Sequence, residues 1–179
     1  MKIAALVAVT ALAMASHALA DVADSSPNGF TVKITIQIQA PPAEVYRKLV
    51  ANVGEWWNPQ HTFSGNSRNL SIDGKAQGCF CEKLPNQGSV RHMEVVNASP
   101  GARLVLSGAL GPMQTQAVVG TMTFQLAAVD SGTKLDVTYA VGGYMPGGLA
   151  NLAKVVDGVL TEQVTRLKNF AEKGNPDPK

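Results

Sequence analysis

Three observations predict an α+β fold, with a curved antiparallel sheet of about seven strands wrapped on a long C-terminal helix and two short helices after the first strand. From Phe30 to Gln39, apolar Phe30, Val32, Ile34, Ile36 and Ile38 alternate with Thr31, Lys33, Thr35, Gln37 and Gln39. That is the period of a half-buried strand. From Asn69 to Gly143, short β-branched and aromatic runs follow one another between turn signals, as successive hairpins of one sheet do. From Pro146 to Lys173, Leu149, Leu152, Ala153, Val156, Val159, Leu160, Val164, Leu167, Phe170 and Ala171 recur at three-then-four spacing, which is one helical face. A helix of about 25 residues would be about 37 Å long. Its single apolar stripe and the single apolar face of the sheet are each other's natural cover.

The first 20 residues stand apart. Lys2 precedes an almost unbroken apolar run from Ile3 to Ala15, and Ala18-Leu19-Ala20 has the small-x-small pattern of a cleavage site. This is the form of a secretory signal peptide. The run falls short of the roughly 18–20 residues that span a bilayer. Cleavage after Ala20 is therefore expected, with an uncleaved anchor as the alternative. No stable membrane span would remain after cleavage, and the protein would be exported, periplasmic or secreted. The full chain carries a formal charge of +2; without Lys2, 14 basic residues face 13 acidic ones. Charges this balanced and scattered give no footprint for nucleic acid.

The domain is then read in order. Residues 21–28 form a polar, flexible leader, residues 29–173 one domain, and residues 174–179 a frayed tail. After the first strand, Ala40-Pro41-Pro42 stops the ladder, and Pro42 suits the first turn of a helix. Ala43 to Ala51 gives Val45, Tyr46, Leu49 and Val50 on one side, and a second short helix follows near Val53 to Asn58. Strands are expected at 69–73, 78–84, 89–98, 103–107, 115–129 and 133–143. Pro85-Asn86-Gln87-Gly88, Ser99-Pro100-Gly101 and Asp130-Ser131-Gly132 form turns between them. Gly108 to Pro112, followed by Met113, reads as an adaptable apolar flap.

Several of these segments resemble a known family. Ala40-Pro41-Pro42-Ala43-Glu44-Val45-Tyr46 resembles the strand-to-helix opening of the SRPBCC, or START/Bet v 1-like, superfamily. Trp56-Trp57-Asn58-Pro59-Gln60-His61-Thr62 resembles a motif of its polyketide cyclase/dehydrase and Hsp90-ATPase-activator-like branch. Gly78-Cys79-Phe80-Cys81-Glu82, Thr121-Met122-Thr123-Phe124 and the stretch from Val164 to Phe170 match in character. The resemblance runs from Phe30 to about Phe170. It implies a helix-grip fold with an apolar cavity between sheet and helix. It also implies a small apolar molecule or lipid as ligand, or catalysis of cyclisation or dehydration. An export signal argues against Hsp90, which is cytosolic, as a partner.

Candidate site residues follow from chemistry. Trp56 and Trp57 either wall a pocket or pack a short helix against the sheet. His61, in the loop after Pro59, could serve as a general acid or base at the cavity mouth. His92 shares a strand face with Glu94 by parity, and the two form either a cavity pair or part of a solvated face. Phe80, Met113, Tyr139 and Tyr144 are candidate ligand contacts. Cys79 and Cys81, two apart on a strand, face the same side with α-carbons roughly 6.5–7 Å apart, at the upper limit for a disulfide. Reduced apolar packing, a strained bridge, and a redox or metal role all remain open for them. No zinc-type ligand spacing, phosphate-binding loop or nucleophile motif is present, and no cofactor is expected. The functions in view are a carrier of a small apolar ligand or lipid, a cyclase/dehydrase-type enzyme using His61 or His92, and a protein-interaction module with a filled interior.

Overall fold

A computed structural model describes residues 19–177. The expected signal peptide therefore lies, up to residue 18, outside the described residues. The elements are β1 (Leu19–Ser26), β2 (Gly29–Ile38), α1 (Pro42–Ala51), α2 (Val53–Trp56), β3 (Leu70–Ile72), β4 (Cys79–Lys83), β5 (Ser89–Ser99), β6 (Arg103–Gly108), β7 (Ala117–Val129), β8 (Gly132–Tyr144) and α3 (Ala153–Lys173). The strands form one antiparallel sheet of eight in the order β1-β2-β8-β7-β6-β5-β4-β3. This is the helix-grip arrangement, α+β, with α3 packed across the sheet's apolar face.

The core comes from period-two alternation carried across strands. Val32 lies opposite Tyr139, Tyr139 opposite Met122, and Met122 opposite Leu106. The next row joins Ile34, Val137, Phe124 and Leu104 in the same way. All eight side chains are buried, and Leu160, Val164, Leu167 and Ala171 of α3 belong to the same core. α1 adds Val45, Tyr46 and Leu49. Its Lys48 donates from Nζ to the carbonyl of Ala171 at 2.9 Å, a cation placed at the negative end of α3.

Three expectations need correction. Residues 21–28 are not a flexible leader: β1 pairs with β2 from Leu19↔Thr35 to Ser26↔Gly29. Polar composition hid it, because an edge strand is held by backbone bonds and needs few apolar side chains. The tail is not frayed up to Asp177: Asn169 donates to the Pro176 carbonyl, and Arg166 pairs with Asp177. The long helix begins seven residues late, at Ala153. Gly147 and Gly148 take φ of 84° and 79°, a left-handed geometry that suits glycine and cannot start a right-handed helix. At 21 residues it is about 31 Å long.

Candidate functional site

A cleft of about 390 Å³ opens at one end of the grip. Its walls come from three places. The loop after α2 contributes Trp57, Gln60, His61, Thr62 and Phe63. The flap between β6 and β7 contributes Leu110, Gly111, Pro112 and Met113. The first turns of α3, with the turn before them, contribute Leu152, Val155, Val156, Val159 and Leu160. His92 of β5 closes the remaining side. The lining is mainly aliphatic and aromatic, with polar groups confined to Gln60, His61, Thr62 and His92.

The buried polar centre is a pair that sequence parity does not suggest. His92 Nε2 lies 3.0 Å from Glu82 Oε2, and the two are 6% and 0% exposed. β4 and β5 pair as Phe80↔Met93 and then Cys81↔Arg91, so His92 has no residue opposite it. It is the extra residue of a β-bulge, and such a residue re-aims a side chain. The bulge turns His92 onto the inner face with Met93. The expected partnership with Glu94 is thus replaced: Glu94 pairs with Arg91 at 3.0 Å on the exposed side. Glu82 is legible on the inner face of β4 beside Phe80, yet nothing local in the sequence announces its charge partner.

Glu82 is held by more than His92. It accepts hydrogen bonds from the backbone N–H groups of Phe63 and Ser64. Burial pushes its carboxyl up, but the bonds from Ser64, Phe63 and His92 outweigh this and hold it below the usual carboxylate range. Burial pushes the His92 imidazole down, against the hydrogen bond and charge of Glu82. The pair is therefore a carboxylate and a neutral imidazole. An ionised carboxylate only accepts, so Nε2 carries the proton and Nδ1 is a bare acceptor. Its one partner among the described residues is Gln114 Nε2 on the flap, at a loose 3.4 Å. Phe63 stacks on one side of the ring and Phe80 approaches from another, with centroids 5.8 and 5.0 Å away. The arrangement is an oriented base or hydrogen-bond acceptor on an apolar wall.

The remaining candidates separate. Trp57 lines the cleft and donates from Nε1 to the His61 carbonyl at 3.0 Å. Met113 lines it from the flap. His61 sits at the mouth with Nε2 3.2 Å from Glu162 of α3, both partly exposed. Trp56 is outside the cleft. It is buried in the core, and its N–H serves the Lys48 carbonyl. Phe80 stands behind Trp57 and His92 rather than on the surface of the void. Tyr139 is fully buried; its hydroxyl accepts from the Leu110 N–H at 3.2 Å and donates to the Gly108 carbonyl, so it pins the flap from below. Burial pushes its phenol up to about 12, the Leu110 bond working against it. Its ring fills the space over Gly120, where a Cβ would lie 2.5 Å from the ring edge. Tyr144 is 71% exposed at the end of β8 and does not line the cleft. Phe63, Gln114 and the α3 valines were missed as site residues: Val156 and Val159 read as core from helical spacing, and Val155, off that stripe, is 62% exposed and lines the cleft. The structure joins Cys79 to Cys81 on the outer face of β4, with α-carbons 5.3 Å apart. Among the described residues, no three His, Cys, Asp or Glu side chains converge as a metal-binding set.

Family models return no match to the chain, and comparison with curated proteins returns none. Solved structures do match. A protein from Rhizobium leguminosarum aligns with a TM-score of 0.60 at 19% identity, over 86% of this chain and 97% of that one. CalU16 from Micromonospora echinospora aligns with a TM-score of 0.55 at 17% identity, over 92% and 88%. The Aha1 dimer from Colwellia psychrerythraea gives 0.55 at 17%, over 80% and 97%. At such identities the likeness is one of fold alone.

Proposed function

We propose that the protein binds a small, mainly apolar molecule in the cleft between the flap, the 57–63 loop and α3. The observation that carries this reading is the void itself, about 390 Å³ with an apolar wall. Ligand pockets span roughly 300–1,000 Å³, so the ligand is compact: one or two rings, or a single acyl chain. His92 offers it one buried acceptor. A void of this size argues against a module with a filled interior. The N-terminal pattern of Lys2, the apolar run and Ala18-Leu19-Ala20 supports an exported carrier, periplasmic or secreted, and hence one separated from Hsp90. N-terminal sequencing of protein from fractionated cells tests export, and a chain beginning at Met1 in the cytosol would overturn it.

The binding test is a titration with the apolar fluorophore 1-anilinonaphthalene-8-sulfonate, comparing the wild type with Val156→Trp. The indole fills the void from α3, so affinity should fall by at least about tenfold, 1.4 kcal/mol. Unchanged affinity would sink the cleft as the site.

A second reading has its own support in the His92–Glu82 pair: proton transfer on the bound molecule, as dehydration or cyclisation requires. The probe is 5-nitrobenzisoxazole, a compact aromatic that loses its C3 proton to a base as its N–O bond breaks. If His92→Gln leaves that rate unchanged, the enzymatic reading fails while the binding reading stands.

A further inference from the structure

The two cysteines lie directly behind the buried pair. Along β4, Phe80 and Glu82 point inward and are buried, while Cys79 and Cys81 are half-buried on the outer face. Residues two apart on a regular strand are roughly 6.5–7 Å apart. Here the bridged α-carbons are 5.3 Å apart, so β4 is contracted by more than 1 Å over its middle. The partner strand shows the consequence. Cys79 lies opposite Glu94, Phe80 opposite Met93 and Cys81 opposite Arg91. Three residues of β4 thus face four of β5, and the one left over is His92. A shortened strand leaves its neighbour with surplus chain, and a bulge absorbs a surplus of one residue. The side chain expelled from the ladder is the imidazole that reaches Glu82, the residue immediately after Cys81.

We propose that Cys79–Cys81 is a thiol-exchange site whose oxidation state sets the position of His92. The bridge closes a loop of three residues on an accessible face, beside the short strand β3, where Ser71 is the cross-strand neighbour of Cys81. Bridges that a thiolate can reach are the labile ones, and this half-buried one is partly open to solvent. The co-reactant is a dithiol, small or carried by a protein. Its thiolate attacks one sulfur and breaks the S–S bond, giving a mixed disulfide and one free cysteine. Its second thiolate then closes on the first, leaving a disulfide in the reagent. The bridge gains two electrons and two protons; the dithiol loses the same. With the bridge open, β4 relaxes toward regular strand spacing, the surplus in β5 disappears, and His92 leaves the inner face. Against this relaxation stand the His92–Glu82 bond, the loose Gln114 contacts to His92 and the Arg91 carbonyl, and the Arg91–Glu94 pair, which is 67% and 40% exposed in its side chains and so holds little. The polar wall of the cleft is thereby present in the oxidised chain and dismantled in the reduced one.

The test uses the full chain isolated without reductant. Alkylation and mass measurement should find no free thiol; two free thiols in that preparation would overturn the proposal. The protein is then equilibrated with buffers of graded reduced and oxidised dithiothreitol while the imidazole nitrogens are followed by NMR. The oxidised form should show His92 as the Nε2–H tautomer with a slowly exchanging proton. The reduced form should lose that signature, with exchange at least about tenfold faster, while His61 is unchanged and serves as the internal control. Identical His92 signals in both forms would overturn the coupling. Cys79→Ser/Cys81→Ser should reproduce the reduced signals; should that variant not fold, the reduced wild type carries the same comparison. These readouts need no ligand, so they fail independently of the binding function. Fluorophore affinity, measured in both redox states, adds the link to the cleft.

Discussion

The two ends of the sheet are built differently. Toward one end, inside the edge strand β1 with its single register shift at Val22/Asp24, β2, β8 and β7 pair without interruption, Gly29↔Gly142 to Ile38↔Thr133 and Ala117↔Tyr144 to Val129↔Gly132. Their inward side chains are apolar but for Thr133, whose hydroxyl is satisfied by the Ala40 carbonyl at 2.6 Å, and the Tyr139 hydroxyl, which bonds Leu110 and Gly108. At the other end β4, β5 and β6 carry two register shifts, a bridged cysteine pair and a buried carboxylate–imidazole pair. The regular end serves cohesion. The irregular end forgoes ladder bonds to aim polar groups at a void, as functional sites do. Substitutions should respect this division. Leu135→Ala, at a fully buried position of β8, should cost about 3 kcal/mol in urea unfolding through transfer and cavity effects. Val155→Ala, 62% exposed at the cleft mouth, should stay within about 0.5 kcal/mol while weakening the fluorophore. Equal costs at both positions would erase the contrast.

Glu82→Gln probes the irregular end and should rank next, at about 2 kcal/mol. One carboxylate oxygen becomes an NH2 group facing N–H donors of Phe63, Ser64 or His92, which leaves a buried donor unpaired. The same pair gives the molecule an acid-sensitive stability. Both groups have folded pKa values below their ordinary ones of 4.5 and 6.5. The unfolded chain therefore binds protons first, and stability is fully present above about 6.5 and falls on acidification. His92 accounts for the loss from 6.5 downward, and Glu82 for a further loss below 4.5. Denaturation midpoints between pH 8 and about 2 should show both stages, and His92→Gln should abolish the upper one. A wild-type profile flat from pH 7 to 5 would mean that the imidazole is not buried as a neutral group.

The same contrast explains what was legible in the sequence. Regular periodicity marks regular structure, so β2, β7, β8 and the C-terminal two-thirds of α3 could be read residue by residue. The apolar stripe of the last helix also gave its partner, the sheet. The site could not be read this way, because its geometry depends on departures from period. His92 reaches Glu82 only because one residue is left out of the β4–β5 register, and parity arguments assume that none is. β1 was hidden for the opposite reason: Asp21, Asp24, Ser25 and Ser26 look like a leader, and only tertiary pairing with β2 makes them a strand. Trp57 and Met113 were identifiable as pocket walls by residue type, whereas Tyr139, of equally suggestive type, proved to be a support for the flap.

That support provides the smallest and most local test of the comparison. Tyr139 belongs to the regular end through its β2 and β7 neighbours Val32 and Met122, yet its hydroxyl holds the flap of the irregular end at Leu110 and Gly108. Tyr139→Phe keeps the ring over Gly120 and removes only the oxygen. The global cost should be about 1 kcal/mol, mostly the worth of the Leu110 bond, since the second bond, to the Gly108 carbonyl, is a loose 3.4 Å and the packing rows are untouched. The local effect should be larger in kind: the Leu110 amide loses its acceptor, and its hydrogen exchange should quicken while the amides of Val137 and Phe124 keep their protection. Flap opening should rise without a change in the cleft's walls, so the fluorophore should associate and dissociate faster at nearly constant affinity. If instead protection drops along β7 and β8 together, the hydroxyl is part of the cohesive end, and the boundary between the two regions lies nearer the cleft than the register shifts mark it.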